Sequence, residues 1–155
     1  MRFVMGYGIE VKCKKCKFKQ MYHLGVGMMF PRVYQRIVDA VRNGEYGEEW
    51  KKFFEENTGA AIMAEQRLYQ CSSCKHLEQD YDLSLYLNKN GTAPEHDYWA
   101  HWCDFDHEYK FIKSYIHKCP KCSARMHKVK DFENTKLPCP KCGSDLKIDD
   151  GICWD

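Results

Sequence analysis

Eight of the ten cysteines in this 155-residue chain fall into four C-x-x-C pairs: Cys13/Cys16, Cys71/Cys74, Cys119/Cys122 and Cys139/Cys142. Cys103 and Cys153 stand alone. A C-x-x-C turn aims two thiolates at one ion, with backbone N–H groups facing the sulfurs. Two such turns complete the tetrahedral four-sulfur shell that zinc prefers, at Zn–S of about 2.3 Å. The pattern therefore predicts two structural zinc ions, held by Cys13, Cys16, Cys71, Cys74, Cys119, Cys122, Cys139 and Cys142. Thiolate favours zinc over hard cations, with iron in the same four-sulfur shell as the alternative.

The competing uses of paired cysteines fit less well. The N-terminus M-R-F-V-M-G-Y-G has no signal-peptide core, and no apolar run approaches the roughly 18 residues of a membrane span. The expectation is a soluble cytoplasmic protein whose thiols stay reduced, which argues against a disulfide framework. A thioredoxin-like dithiol needs a βαβ context and occurs once, whereas this chain carries four copies with Lys-rich or Pro-containing turns. A thiol redox role for one pair remains an alternative reading.

Spacing suggests which pairs meet. C119-P-K-C122, sixteen residues and C139-P-K-C142-G match the zinc-ribbon spacing, with Gly143 placed to adopt positive φ after the last ligand. The first two pairs lie 54 residues apart. Joining first to third and second to fourth would instead leave 102 and 64 residues between partners. Loop closure favours sequential pairing by less than about 2 kcal/mol. The match of K12-C-K-K-C16 to K118-C-P-K-C122 also suggests that each opens one half of the chain. The expected fold is α+β: two zinc-ribbon-type β units, the first interrupted by a helical insertion. Residues 1–109 would form the N-terminal ribbon with its insertion and acidic loop, and residues 110–155 a self-sufficient C-terminal ribbon.

The segments between the pairs carry readable patterns. Pro31 suits a first helical position, and Val33, Tyr34, Ile37, Val38 and Val41 form a helical stripe ending near N43-G44. A second short helix is expected over 47–56, with Trp50, Phe53 and Phe54 on its apolar side and Glu48/Lys52 as an i,i+4 pair. Strands are expected over 62–70, 82–87 and 111–117, with a turn at N88-K-N-G and a turn with a short strand around Gly151. G-V-G at 25–27 reads as a turn. Hydrophobic content of 44% is enough for a packed core.

At the C-P-x-C-G pairs the chain resembles zinc-ribbon, rubredoxin-like proteins. The layout from G-I-E-V-K-C-K-K-C and L-G-V-G-M-M-F-P through Y-Q-C-S-S-C to C-W-D is similar to that of small bacterial proteins with paired C-x-x-C motifs. The resemblance implies the metal ligands and no catalytic residue.

Function is then sought among binding modules, because four-thiolate sites leave no open coordination position. The net charge of +2 hides two basic blocks, 1–20 and 110–147, and an acidic one, 78–109. Lys12, Lys14, Lys15, Lys17 and Lys19 around the first pair are placed to neutralise phosphates, with Phe18 or Tyr22 available for base stacking. The same lysines also offset the net −2 of a zinc–thiolate centre, so a protein partner stands beside nucleic acid. An enzyme is the third class. It would use the His/Asp-rich segment 96–108, whose bland reading is an acidic loop with Tyr98, Trp99 and Trp102 partly buried; no H-E-x-x-H-type spacing is present there.

Overall fold

The computed structural model describes residues 6–26, 30–91, 108–132 and 134–154. Among these residues the chain forms two helices and nine strands in three small antiparallel sheets, and no helix is long and apolar enough to cross a membrane. Two compact units emerge, both discontinuous in sequence. One, the helical unit, is formed mainly by Val26–Glu65 and Asp82–Tyr115; the other, the knuckle unit, by Met5–Gly25, Gln66–Tyr81 and Ile116–Asp155. This division does not follow the expected cut between residues 109 and 110.

In the helical unit, α1 (Phe30–Arg42) and α2 (Glu48–Glu56) form where the apolar spacing predicts. Tyr34, Ile37, Val38 and Val41 are buried on α1, and Trp50 and Phe54 on α2. Trp50 satisfies its indole N–H by donating to the Leu83 carbonyl at 2.9 Å. The Tyr34 hydroxyl accepts from the Ile62 amide at 3.2 Å. The sheet of this unit is β3 (Ala60–Ile62), β6 (Leu85–Asn88) and β7 (Tyr109–Lys113), in the order β3-β6-β7. Residues 111–117, expected as one strand feeding the third cysteine pair, thus divide. The first part pairs with β6, and the chain runs on without strand partners before that pair.

The knuckle unit holds two sheets of one design. The first is β2 (Lys19–Leu24), β1 (Gly6–Cys13) and β9 (Leu146–Trp154), in that order. The second is β5 (Leu77–Tyr81), β4 (Gln66–Cys71) and β8 (Met126–Lys128). In each, a leading strand enters a C-x-x-C turn, the next strand leaves it, and a third strand from a later C-x-x-C turn pairs with the leader. The registers coincide. Cys13 faces Leu146 and Cys71 faces Met126, each four residues past the last cysteine of the later turn. Lys12 faces Lys19 and Gln70 faces Leu77, each three residues past the second cysteine of the earlier turn. Alternation places Ile9 and Val11 of β1 in a core with Tyr22, Leu24, Leu68, Leu77 and Leu146.

β9 is longer than expected. Where D-D-G suggested a turn, the strand continues. The register shifts between Gly8 and Ile9, which face Ile152 and Asp150, so Gly151 is the extra residue of a β-bulge.

Candidate metal centre

The cysteines meet in a nested order. Cys13, Cys16, Cys139 and Cys142 form one cluster, and Cys71, Cys74, Cys119 and Cys122 the other; within each, the four sulfurs lie within 4.8 Å of one another. The sequential pairing expected from spacing is therefore corrected. The first pair meets the fourth and the second meets the third, all within the knuckle unit. Consequently 110–155 holds two cysteines of each cluster. Nesting leaves 122 residues between Cys16 and Cys139 and 44 between Cys74 and Cys119. The logarithmic closure cost of this arrangement over sequential pairing is only about 1.6 kcal/mol. Strand pairing outweighs it. β1 and β9 are in register along eight residues of β1, which carries the first turn to the fourth, and β4 with β8 carries the second to the third.

All four turns share one backbone hydrogen bond. The amide of the first cysteine donates to the carbonyl five residues on: Cys13 to Phe18, Cys71 to His76, Cys119 to Ala124 and Cys139 to Ser144, at 2.7–2.9 Å. Turn amides then point at the first sulfur. Cys16 N–H donates to Cys13 Sγ, Ser73 and Cys74 to Cys71, Lys121 to Cys119 and Lys141 to Cys139, each at 3.4 Å. Gly143 has φ 77° as the sequence suggested, and Lys75 and Ser123 occupy the same position after their own turns at φ 64°.

The sulfurs approach across the turns. Cys13 lies 3.4 Å from Cys142 and Cys16 3.6 Å from Cys139; Cys71 lies 3.4 Å from Cys122 and Cys74 3.6 Å from Cys119. A zinc tetrahedron with bonds of about 2.3 Å has S···S edges of about 3.8 Å. These approaches are close to the edges of a four-thiolate shell and far from the roughly 2.05 Å of a disulfide. Cys71, Cys119 and Cys139 are buried, whereas Cys74, Cys122 and Cys142 are exposed, so each cluster is backed by core and faces solvent on one side.

Without metal the thiols pull one another's titration apart. At Cys16 the Phe18 amide favours the thiolate, but burial and the thiols of Cys13, Cys139 and Cys142 prevail and push its pKa up to about 12. Hydrogen bonds from the Ser144 hydroxyl and amide, helped by the Cys13 thiol, bring Cys142 down to about 6. In the second cluster the His76 amide is likewise outweighed at Cys74 by burial and the neighbouring thiols, leaving it at about 11. Burial opposes the thiolate at Cys71, yet the amides of Cys74 and Ser73 and the thiol of Cys122 lower it to about 6. A divalent ion resolves this conflict by replacing the protons with one shared charge.

Two supporting residues carried no sequence signal. Gln70, just before Cys71, donates its side-chain amide to the Lys75 and Pro138 carbonyls, both at 3.0 Å, and so ties the second turn to the residue preceding Cys139. His117 is 6% exposed; its Nε2 lies 2.8 Å from the Tyr81 carbonyl and its ring stacks on Tyr69 at 4.0 Å. Its own carbonyl accepts from the Met126 amide, pinning the segment that enters the third turn.

The five lysines of the first turn divide. Glu10 accepts from Lys12 at 2.9 Å and pairs with Lys19 at 3.5 Å, while Lys14, Lys15 and Lys17 are exposed. Tyr22 is not available for stacking on a base: it is buried in the core, and burial, with Glu78 adding to it, pushes its pKa up to about 12. Phe18 is half-buried against the same core. The His/Asp segment lies outside the described residues apart from Glu108, as does Cys103, and Cys153 is described only through the backbone of β9. Comparison of the chain with protein-family profiles, curated proteins and solved structures found no match.

Proposed function

We propose that this chain is a non-enzymatic binding module, that two structural zinc ions hold its two sheets of the knuckle unit as a pair of zinc ribbons, and that its partner is a nucleic acid. The observation that carries the reading is the closure of both clusters. Among the described residues each gathers four sulfurs and no oxygen or nitrogen ligand, the donor set that zinc takes up as a structural ion with no position left for water. A dithiol redox centre would work through the two sulfurs of one turn; here approaches of 3.4–3.6 Å join sulfurs of different turns. Nucleic acid is supported by the exposed Lys14, Lys15 and Lys17, which lie at the tip of a rigid turn.

Metal analysis of the purified protein tests the first part. Two zinc ions per chain are expected, and cobalt substitution should give the spectrum of tetrahedral four-thiolate sites. Fewer than two, or iron in place of zinc, would contradict it. For the partner, changing Lys14, Lys15 and Lys17 to glutamine should reduce the log–log salt slope of single-strand binding by about 2.

A protein partner is the second reading. It is favoured by Phe111 and Ile112, 51% and 38% exposed on β7, an outer strand of the β3-β6-β7 sheet. A peptide adding as a strand would meet apolar side chains there, on an edge without a second strand partner among the described residues.

A further inference from the structure

Where the two sheets of the knuckle unit meet, a cleft of about 260 Å³ opens between β1, β2, β4 and the chain leaving β8. Its walls include the aromatic side chains of Tyr7 and Phe132, and three cations border it: Arg67, Lys128 and Lys130. No carboxylate is among its described lining residues. Asp131, next to Lys130 and Phe132 in sequence, accepts from the Asn134 side-chain amide at 2.9 Å. The cleft is also built on firm supports. Tyr7 and Phe132 both rest on the buried core, and the amide of Val129 donates to the Leu68 carbonyl at 2.9 Å, fixing the lip that carries Lys130 and Phe132. A second cleft of similar size, lined by His117, Lys118, Glu78 and Asp80, mixes charges of both signs and carries no comparable preference.

We propose that the Tyr7–Phe132 cleft takes one nucleotide of a single-stranded nucleic acid, with the base against the aromatic walls and its phosphates on Arg67, Lys128 and Lys130. This inference rests on the nucleic-acid reading above and assigns it a site. Aromatic faces accept any base, and a guanidinium with two ammonium groups matches the adjoining phosphates. Size decides between a strand and a free ligand. Pockets that enclose whole small molecules run to roughly 300–1,000 Å³. This one is smaller, which suits one unit of a chain whose remainder lies outside. Tyr7 and Cys13 lie six residues apart on β1, roughly 20 Å. A strand seated at the cleft can therefore reach the exposed lysines of the first turn as well.

The test uses the full, zinc-loaded chain and fluorescence anisotropy with a labelled 12-nucleotide oligouridylate, across a salt series. Lys128→Gln with Lys130→Gln should lower the log–log salt slope by about 1.4. Phe132→Leu should weaken binding by roughly 5- to 150-fold with the slope unchanged. Lys130→Glu, at an exposed position, guards against a folding defect in Phe132→Leu and should weaken binding by itself. Uridine monophosphate should compete far more weakly than the oligonucleotide. If the cleft variants bind as the wild type does while the Lys14/Lys15/Lys17 variant loses binding, the cleft assignment falls and the nucleic-acid reading stands. If the mononucleotide binds as tightly as the strand, the cleft is a free-nucleotide site and the strand assignment is overturned. Absence of any oligonucleotide binding at low salt removes both.

Discussion

The residue after the second cysteine sets the shape of three of the four turns. Lys75, Ser123 and Gly143 all adopt left-handed backbone there, but only one of them is glycine. A side chain in that region costs about 1–2 kcal/mol, partly offset by the greater freedom glycine loses on folding. Ser123→Gly should therefore stabilise the zinc-loaded protein by roughly 0.5–1 kcal/mol. Gly143→Ala should destabilise it by about 1 kcal/mol through the backbone alone, since nothing lies within 4 Å of the added Cβ. Thermal unfolding with zinc in excess measures both; a loss from Ser123→Gly or a gain from Gly143→Ala would contradict the shared turn geometry. The sulfurs offer a second residue-scale test. With Cys16 near 12 and Cys74 near 11, each cluster holds at least one thiol proton at pH 8, while Cys142 and Cys71, near 6, are already thiolates. Zinc must displace the bound protons, so apparent affinity should fall as pH falls, by at least about one log unit per pH unit per site. Calorimetric titration at pH 8 in buffers of different ionisation heat should show one to three protons released per zinc. Binding without proton release would contradict the four-thiolate assignment.

At the scale of elements, helices were the most legible. Val33, Tyr34, Ile37, Val38 and Val41 announce α1 because 3.6-residue periodicity survives any tertiary context, and α1 and α2 end within a residue or two of expectation. Strands were harder to read. D149-D-G151 has the composition of a turn, and only the register against Gly8 and Ile9 shows that Gly151 is a bulge within a nine-residue strand. That misreading had a consequence, because β9 is what brings the fourth cysteine pair to the first. The internal repeat was misaligned for a related reason. K12-C-K-K-C16 shares lysines with K118-C-P-K-C122, but its structural counterpart is Cys71–Cys74, since both lie between paired strands, and the two C-P-K-C turns are counterparts of each other. The cysteines that cluster were visible because a turn needs only local sequence; which pairs meet depends on long-range strand pairing. Ile9 makes this pairing testable. It is 1% exposed and shares a core with Leu68 and Leu77 of the second sheet as well as Cys139 of the first cluster. Ile9→Ala should cost about 2–5 kcal/mol and speed zinc transfer to a chelator. A loss below about 1 kcal/mol would show that β1 does not anchor that core.

For the whole molecule, both clusters fall in one unit and the described residues of the other contain neither. The chain leaves the knuckle unit after Gly25 and again after Tyr81, and each excursion contributes to the helical unit, whose described core includes Tyr34, Ile37, Trp50, Leu83 and Leu85 and no cysteine. Chelation should therefore act unevenly. Hydrogen exchange of the metal-stripped protein should show lost protection in β1, β4 and β9, with the amides of α1 and α2 retaining most of theirs. Uniform loss across both units would contradict this division. The nested order remains the central claim, and it has a direct readout. In protein loaded with cadmium-113, through-bond correlations connect each metal to the β-protons of its own cysteines. One cadmium should correlate with Cys13, Cys16, Cys139 and Cys142 and the other with Cys71, Cys74, Cys119 and Cys122; a single cadmium correlating with both Cys13 and Cys71 would contradict the account.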